Sequence, residues 1–330
     1  MEQVKKHARV DVADVLRGFA VLAIILLHSI EHFNFYSYPD TSDQSVWLNF
    51  CDKAIWDGLF FAFGGKAYAI FALLFGFSFF IQHDNQRMRG KDFRARFAWR
   101  LLLLFIIGQF NAAFFTGEIL VMYSLVGFVL VLTCRLSTKV LAWLIAICML
   151  QPACIYNIIM AFVSPGCMMT GGSWEADWAA TYDVQSHGTF WETVRVNLVE
   201  GQLFSLGWAW DNGRIFQTAG LFMAGMLIGR QGWFLRDKLH YWGRVLAWAL
   251  IAFFPLYGID NMVGGYISNA TILSQLHIIL QSLYKLAFML LLVCGILFGY
   301  YCTTRLSRTL SLLIPYGKMS MTNYVTQSII

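Results

Sequence analysis

Residues 12–30 read VADVLRGFAVLAIILLHSI, and this stretch decides the fold. It is an apolar run of the length needed to cross a bilayer as a helix, about 20 residues. Similar runs recur near 55–81, 97–115, 119–134, 140–163, 215–229, 241–258, 276–301 and 310–330. Those near 119 and 215 are short, so their boundaries are the least defined. Lipid cannot satisfy exposed backbone groups, which makes these segments helices. They are too long and too apolar for barrel strands, which alternate over about ten residues. The expected architecture is all-α: a polytopic integral membrane helical bundle of about nine transmembrane helices, one domain over 1–330.

Composition agrees. The apolar fraction is 58% and the charged fraction 13%, against about 25% charged in ordinary soluble domains. A soluble chain of this length needs a polar skin, and this one has too little material to make it. The 29 Phe suit lipid-facing and interfacial surface.

Charge placement sets the orientation. Lys5, Lys6, Arg9 and Arg17; Arg87, Arg89, Lys91, Arg94, Arg96 and Arg100; Arg135 and Lys139; Arg230, Arg236, Lys238 and Arg244; and Arg305 and Arg308 fall in alternate segments, 18 of the 24 Lys and Arg. The intervening loops collect Glu31, Asp40, Asp43 and Asp52, then Glu175, Asp177, Asp183, Glu192, Glu200 and Asp211. The positive-inside rule then places the N-terminus in the cytoplasm. The net charge of +5 reflects this orientation and contact with anionic lipid, not nucleic-acid binding. The expected location is the cell membrane, multi-pass, the inner membrane if the source is bacterial. The first run is too long for a signal h-region and lacks a small-residue cleavage site, so it is expected to stay as an anchor.

The segment 164–214 is the longest expected extracytoplasmic loop, with a Trp-rich interfacial piece carrying Trp191, Trp208 and Trp210. Of seven Cys, only Cys51 and Cys167 fall in outer loops, where a single bridge is conceivable. Residues 325–330 are still apolar with no flanking charge, and the chain is expected to be truncated there.

Charged groups are expensive in a bilayer, so polar residues within spans point to function. Arg17 and His28 are eleven residues apart, three helical turns plus ~20° and ~16 Å of rise. One stripe of the first helix therefore carries both, with Asp14 placed to pair with Arg17. Taken singly, Arg17 also fits a snorkelling anchor, and His28 a polar residue packed between helices. Lys66 follows Gly64-Gly65 near mid-span, where a helix break is expected, and Asp57 and Glu118 are the available acids. Lys285 lies deep in the eighth span and His277 near its outer end.

The Arg17-x10-His28 spacing, with Asp14 before and Gly18 after, resembles the first-helix signature of the transmembrane acyltransferase superfamily. More closely, the chain resembles the YeiB-like family, known as domain of unknown function 418. The stretches that carry this are Gly65-Lys66-Ala67-Tyr68-Ala69-Ile70-Phe71 with Leu73-Leu74-Phe75-Gly76; Gly117-Glu118-Ile119-Leu120 with Tyr123; Gly220 and Gly225 to Gly229-Arg230; and Tyr316-Gly317-Lys318-Met319-Ser320-Met321-Thr322-Asn323-Tyr324 with Gln327-Ser328. His28 stands where the family commonly has Asn, Glu118 where it has Asp, and Asn111 where a His is usual.

The resemblance implies acyl transfer across a membrane. An acyl-CoA donor, most simply acetyl-CoA, would enter from the cytoplasm, and a hydroxyl or amine acceptor such as a glycan from outside. His28 would act as general base or transient acyl acceptor, and its ordinary pKa of about 6.5 leaves it mostly neutral at pH 7. Arg17, with Lys66 and Asp14, would hold the donor, and His32, Asp57, Glu118, Asn111 and Lys285 would line the site. No metal is expected, and homo-oligomerisation is left open. Two other readings compete. Buried charges and glycine-interrupted spans also suit a transporter, although no inverted repeat relates the halves. His28-Ser29-Ile30-Glu31-His32 fits H-x-x-E-H, which suits a zinc enzyme using His28 and His32.

Overall fold

The structure is a computed structural model that describes residues 10–34, 38, 39 and 42–328. Every regular element among them is helical. Lys5, Lys6, Arg9, Asp40 and the final two residues lie outside the described part.

The order is α1 (Asp11–Asn34), α2 (Val46–Phe63), α3 (Ala67–Arg87), α4 (Arg94–Ala112), α5 (Leu120–Val126), α6 (Phe128–Thr133), α7 (Thr138–Met149) and α8 (Pro152–Val163). Then come α9 (Trp174–His187), α10 (Phe190–Leu198), α11 (Glu200–Asp211), α12 (Arg214–Gln231), α13 (Leu239–Met262) and α14 (Ala270–Cys302). Three short helices close the described chain: α15 (Thr304–Ser311), α16 (Leu313–Lys318) and α17 (Ser320–Gln327).

Local sequence explains several boundaries. Ser137 starts α7 by accepting the N–H of Val140, as an N-cap hydroxyl does, and Asn269 does the same for α14 through Ile272. Thr189 and Glu192 form a reciprocal capping box on α10. Between α7 and α8, Gln151 adopts φ 57° just before Pro152, and a residue preceding proline is driven out of the helical region. The two halves meet at 50°. Gln151 is held in this bend by donating to Ser282 Oγ at 3.0 Å.

Among the described residues, four segments are long and apolar enough to cross a membrane: 11–31, 46–87, 236–265 and 270–302; the bent α7–α8 pair makes a fifth if it is one span. Elsewhere the expected runs form helices that are shorter, broken or begin with arginines, such as α4 with Arg94, Arg96 and Arg100. The outer surface fits lipid. Leu102, Leu103, Ile106 and Phe110 make an exposed apolar stripe on α4, and Trp248, Ile251 and Phe254 one on α13. A soluble monomer does not leave such patches bare. The described chain is all-helical, with spans and a surface that suit a membrane protein.

Two contacts organise the bundle. α3 and α12 run parallel, with Tyr68 bonded to Gln217 near one end and Phe80 against Gly229 near the other. They touch backbone to backbone: a Cβ on Gly76 would run into the carbonyl of Phe222, and one on Gly225 into the carbonyl of Leu73. Likewise α1 meets α16 where Gly317 lies against the carbonyl of Asp14. Small residues allow this approach, which is how helices gain packing energy in lipid. The 55–81 run divides at 64–66, and α2 buries none of its residues. All seven cysteines are free, so no Cys51–Cys167 bridge is made.

Candidate functional site

At the end of the bundle where α3 and α12 begin, a cavity of about 620 Å³ opens. α1 supplies Ile24, Leu27, His28 and Glu31; the 116–119 turn supplies Thr116 to Ile119; α3 supplies Ala67 and Tyr68; α12 supplies Arg214. The 174–211 helices roof it with Trp174, Trp178, Phe204 and Trp208. This segment is thus a packed helical cap, not only an interfacial strip, although Trp191 remains exposed. Asp211 fixes the roof by accepting from Gly171 N and Trp174 Nε1, each at 2.7 Å.

His28 sits in an aromatic clasp, its ring 4.7 Å from Phe115 and 5.9 Å from Tyr324, centre to centre. Its Nδ1 lies 3.1 Å from Gln327 Nε2. Beside it, Glu118 is buried and accepts from Asn111 Nδ2 and from the N–H of Leu120. Ser205 Oγ donates to the Glu118 carbonyl at 3.3 Å, so the roof and the turn are tied. Phe71 stacks on both Tyr123 and Tyr324, and Tyr324 Oη accepts from the N–H of Ile119 at 3.3 Å.

Arg214 forms the opposite wall. Its guanidinium lies 4.6 Å from the Tyr68 ring centre and 5.6 Å from that of Trp208, within cation–π range. Nη1 donates to Gln217 Oε1 at 3.2 Å.

The other expected site residues are distributed unevenly. Lys66 is buried, but neither Asp57 nor Glu118 holds it. Its Nζ donates to the carbonyl of Phe61 at 2.5 Å, between the rings of Phe61 and Phe288. The last turn of α2 thus offers the ammonium a main-chain carbonyl, which removes the need for an acid. Asp57 instead pairs with Lys53 at 2.6 Å on the exposed face of α2. Lys285 donates to Gln281 at 2.7 Å and packs with Arg214 against Gly65. Arg17 pairs with Asp14 at 2.5 Å and donates to Ser78 Oγ at 2.6 Å; it faces protein but does not reach the cavity that His28 lines. Of the H-x-x-E-H pattern, His28 and Glu31 line the cavity, whereas the side chain of His32 lies outside the described residues.

At the other end, Arg87, Lys91, Arg135 and Arg230 gather with Asp84 and Asp92 around a cavity of about 960 Å³. Arg94 and Arg135 both contact the Asp92 carboxylate. Hydrogen bonds from the Arg94 side chain and backbone hold that carboxyl well below its usual range.

Arg214 was not among the site residues expected from sequence, and of the roof only Trp208 was singled out, as part of an interfacial piece. The available signal was that Arg214 lies outside the basic segments, just after the acidic residues that end at Asp211.

Residues 228–330 match the family described as "Protein of unknown function (DUF418)". The chain is 32% identical over 154 residues, 44% of its length, to "Uncharacterized protein YxaH" of Bacillus subtilis (strain 168). It is 31% identical over 127 residues, 38% of its length, to "Uncharacterized 39.9 kDa protein in amylase 3'region" of Bacillus acidopullulyticus. These matches cover 37% and 34% of the two relatives, so the chain spans about a third of their length. No solved structure matches. The family resemblance read from the sequence therefore holds over residues 228–330, the stretch that carries the DUF418 match.

Proposed function

We propose that this chain is a multi-pass membrane acyltransferase of about nine spans with a cytoplasmic N-terminus, sited in the inner membrane of a bacterium. It would move an acyl group from an acyl-CoA donor, such as acetyl-CoA, to a hydroxyl or amine of an extracytoplasmic, glycan-like acceptor. The observation that carries this reading is the cavity in which His28 and Glu118 face a roof of three tryptophans. Aromatic faces suit the apolar face of a sugar ring, and an imidazole held by Gln327 suits a base.

In the proposed step, His28 takes the proton of the acceptor O–H or N–H as that atom attacks the thioester carbonyl. The C–S bond breaks, the thiolate leaves, and the proton passes from His28 to the sulfur. Asn111 and the Leu120 N–H orient Glu118, which holds the acceptor. The donor would approach from the basic end, past Arg17 and Ser78. A cleft of about 340 Å³ lies there between α3 and α4, lined by Ser78, Gln82 and Arg100.

The experiment is acyl-CoA turnover by the full chain in proteoliposomes, with His28→Ala and His32→Ala compared with and without a zinc chelator. Loss in His28→Ala alone is expected. Activity surviving in that variant ends the proposal, and equal chelator-sensitive loss in both moves the reading to a zinc enzyme. A second reading, a transporter, is favoured by the cavities at both ends of the bundle. It predicts donor-independent solute flux in the same vesicles.

A further inference from the structure

Three cations gather around Gly65, of which Arg214 lines the cavity. An ideal Cβ on Gly65 would lie 3.0 Å from Lys285 Cδ and 3.4 Å from both terminal nitrogens of Arg214. Both side chains therefore pack on one face of a glycine whose φ of +74° is one that residues with a side chain rarely adopt. Lys66 is the next residue and is buried.

Like charges this close repel, and burial strengthens the repulsion. Among the described residues, Arg214, Lys66 and Lys285 make no ion pair. Their partners are Gln217, the Phe61 carbonyl and Gln281. Asp260, the acid that faces Lys285, is held by His277 at 2.6 Å. Glu118 and Glu31 line the same cavity without pairing with the trio. A guanidinium carries five N–H donors and an ammonium three, so most of the donor capacity here is unspent.

The backbone adds to this. α3 and α12 are parallel and begin side by side, joined through Tyr68 and Gln217. Neither start carries a side-chain cap. Two positive helix ends therefore face the corner that the three cations occupy.

We propose that Arg214, Lys285 and Lys66, with the first turns of α3 and α12, form a receptor for an oxyanion, a phosphate or carboxylate carried by the molecule that enters from the tryptophan-roofed side. This deepens the function proposed above: the acceptor would be an acidic glycan or a phosphate-bearing carrier, with its anion on Arg214 and its nucleophile turned to His28. Tyr68 and Trp208 keep the guanidinium plane fixed, so that its free edge can make a two-pronged contact.

The test titrates the purified full chain in phosphatidylcholine nanodiscs with inorganic phosphate, at ionic strength matched with chloride, reading thermal stability and calorimetric heat. A second arm replaces part of the lipid with phosphatidylglycerol, without added phosphate. Saturable stabilisation in the first arm marks a soluble or polymer-borne anion. Stabilisation only in the second marks a lipid headgroup, and both support the receptor. Arg214→Gln and Lys285→Gln should each weaken the effect about tenfold or more, the worth of a hydrogen bond to a charged group. Arg214→Lys keeps charge and volume if the neutral variant does not fold, and should weaken binding less. Equal affinity in Arg214→Gln and the parent, or equal stabilisation by chloride, overturns the receptor. His28→Ala must bind phosphate normally, so a failed transfer assay and a failed anion site give different results.

Discussion

Gln327 Nε2 and His28 Nδ1 lie 3.1 Å apart, although 299 residues separate them in the chain. The last described helix thus fixes the ring that the first helix contributes. A side-chain amide offers either a carbonyl or an amino edge. For His28 to act as a base at Nε2, Gln327 must turn its carbonyl to Nδ1 and hold the hydrogen there. Replacing Gln327 with Leu should lower kcat about 10–100-fold with KM little changed, short of the ~10⁴-fold seen when a charged orienting partner is lost. Steady-state kinetics on both substrates checks this, and a change confined to KM would count against the positioning role.

The α3–α12 seam makes a stability prediction. Gly225→Leu must push the Leu73 backbone away, because the Cβ position is already taken. Overpacking costs about 1–3 kcal/mol where side chains can yield, and here a main chain must move. A fall in melting temperature in detergent at least as large as that range implies is expected, with Gly295→Leu, where a Cβ meets open space, as the control.

Asp92 gives a pH dependence. Its carboxyl is held below its usual range by Arg94, so its contribution is complete above the unfolded-state value of about 3.9. That contribution fades as pH falls through the lower folded value. The stability gap between the parent and Asp92→Asn should therefore be flat from about pH 5 to 8 and close only below about pH 4. Thermal melts across that range measure it. A gap that closes between pH 5 and 7 contradicts the pairing.

Orientation is testable by labelling. Single cysteines near Asp43 or Asp183 should react with an impermeant reagent from outside intact cells, and one near Arg89 should not. The reverse pattern overturns the cytoplasmic placement of the basic end.

The sequence made part of the site legible because polar residues in apolar runs stand out. His28, Glu118 and Asn111 were visible this way, and the fold brings all three to one cavity or its wall. Lys66 was visible too, but its partner was not, since a backbone carbonyl leaves no mark in a sequence. Asp57 misled for a related reason: it occurs in an apolar run, yet that run is a peripheral helix where Lys53 satisfies it. Arg214 was obscured because it borders a span, where a basic residue reads as a flank. Only the adjacency of α3 and α12 moves it into a wall. The expected count of about nine spans included α4, α5, α6 and α12, which are short or arginine-bearing and do not stand out as spans by length and composition.

The glycine seam has a mechanical consequence. Helices whose backbones touch cannot slide or swing against each other without first separating, so α3 and α12 behave as a single strut through the molecule. Any route by which a molecule enters or leaves must then be cut elsewhere, at the tryptophan roof or at the α17 side. Arg214 and Tyr68, mounted on the same strut, act as a ruler of constant length: size selection would come from what surrounds them, not from their own spacing.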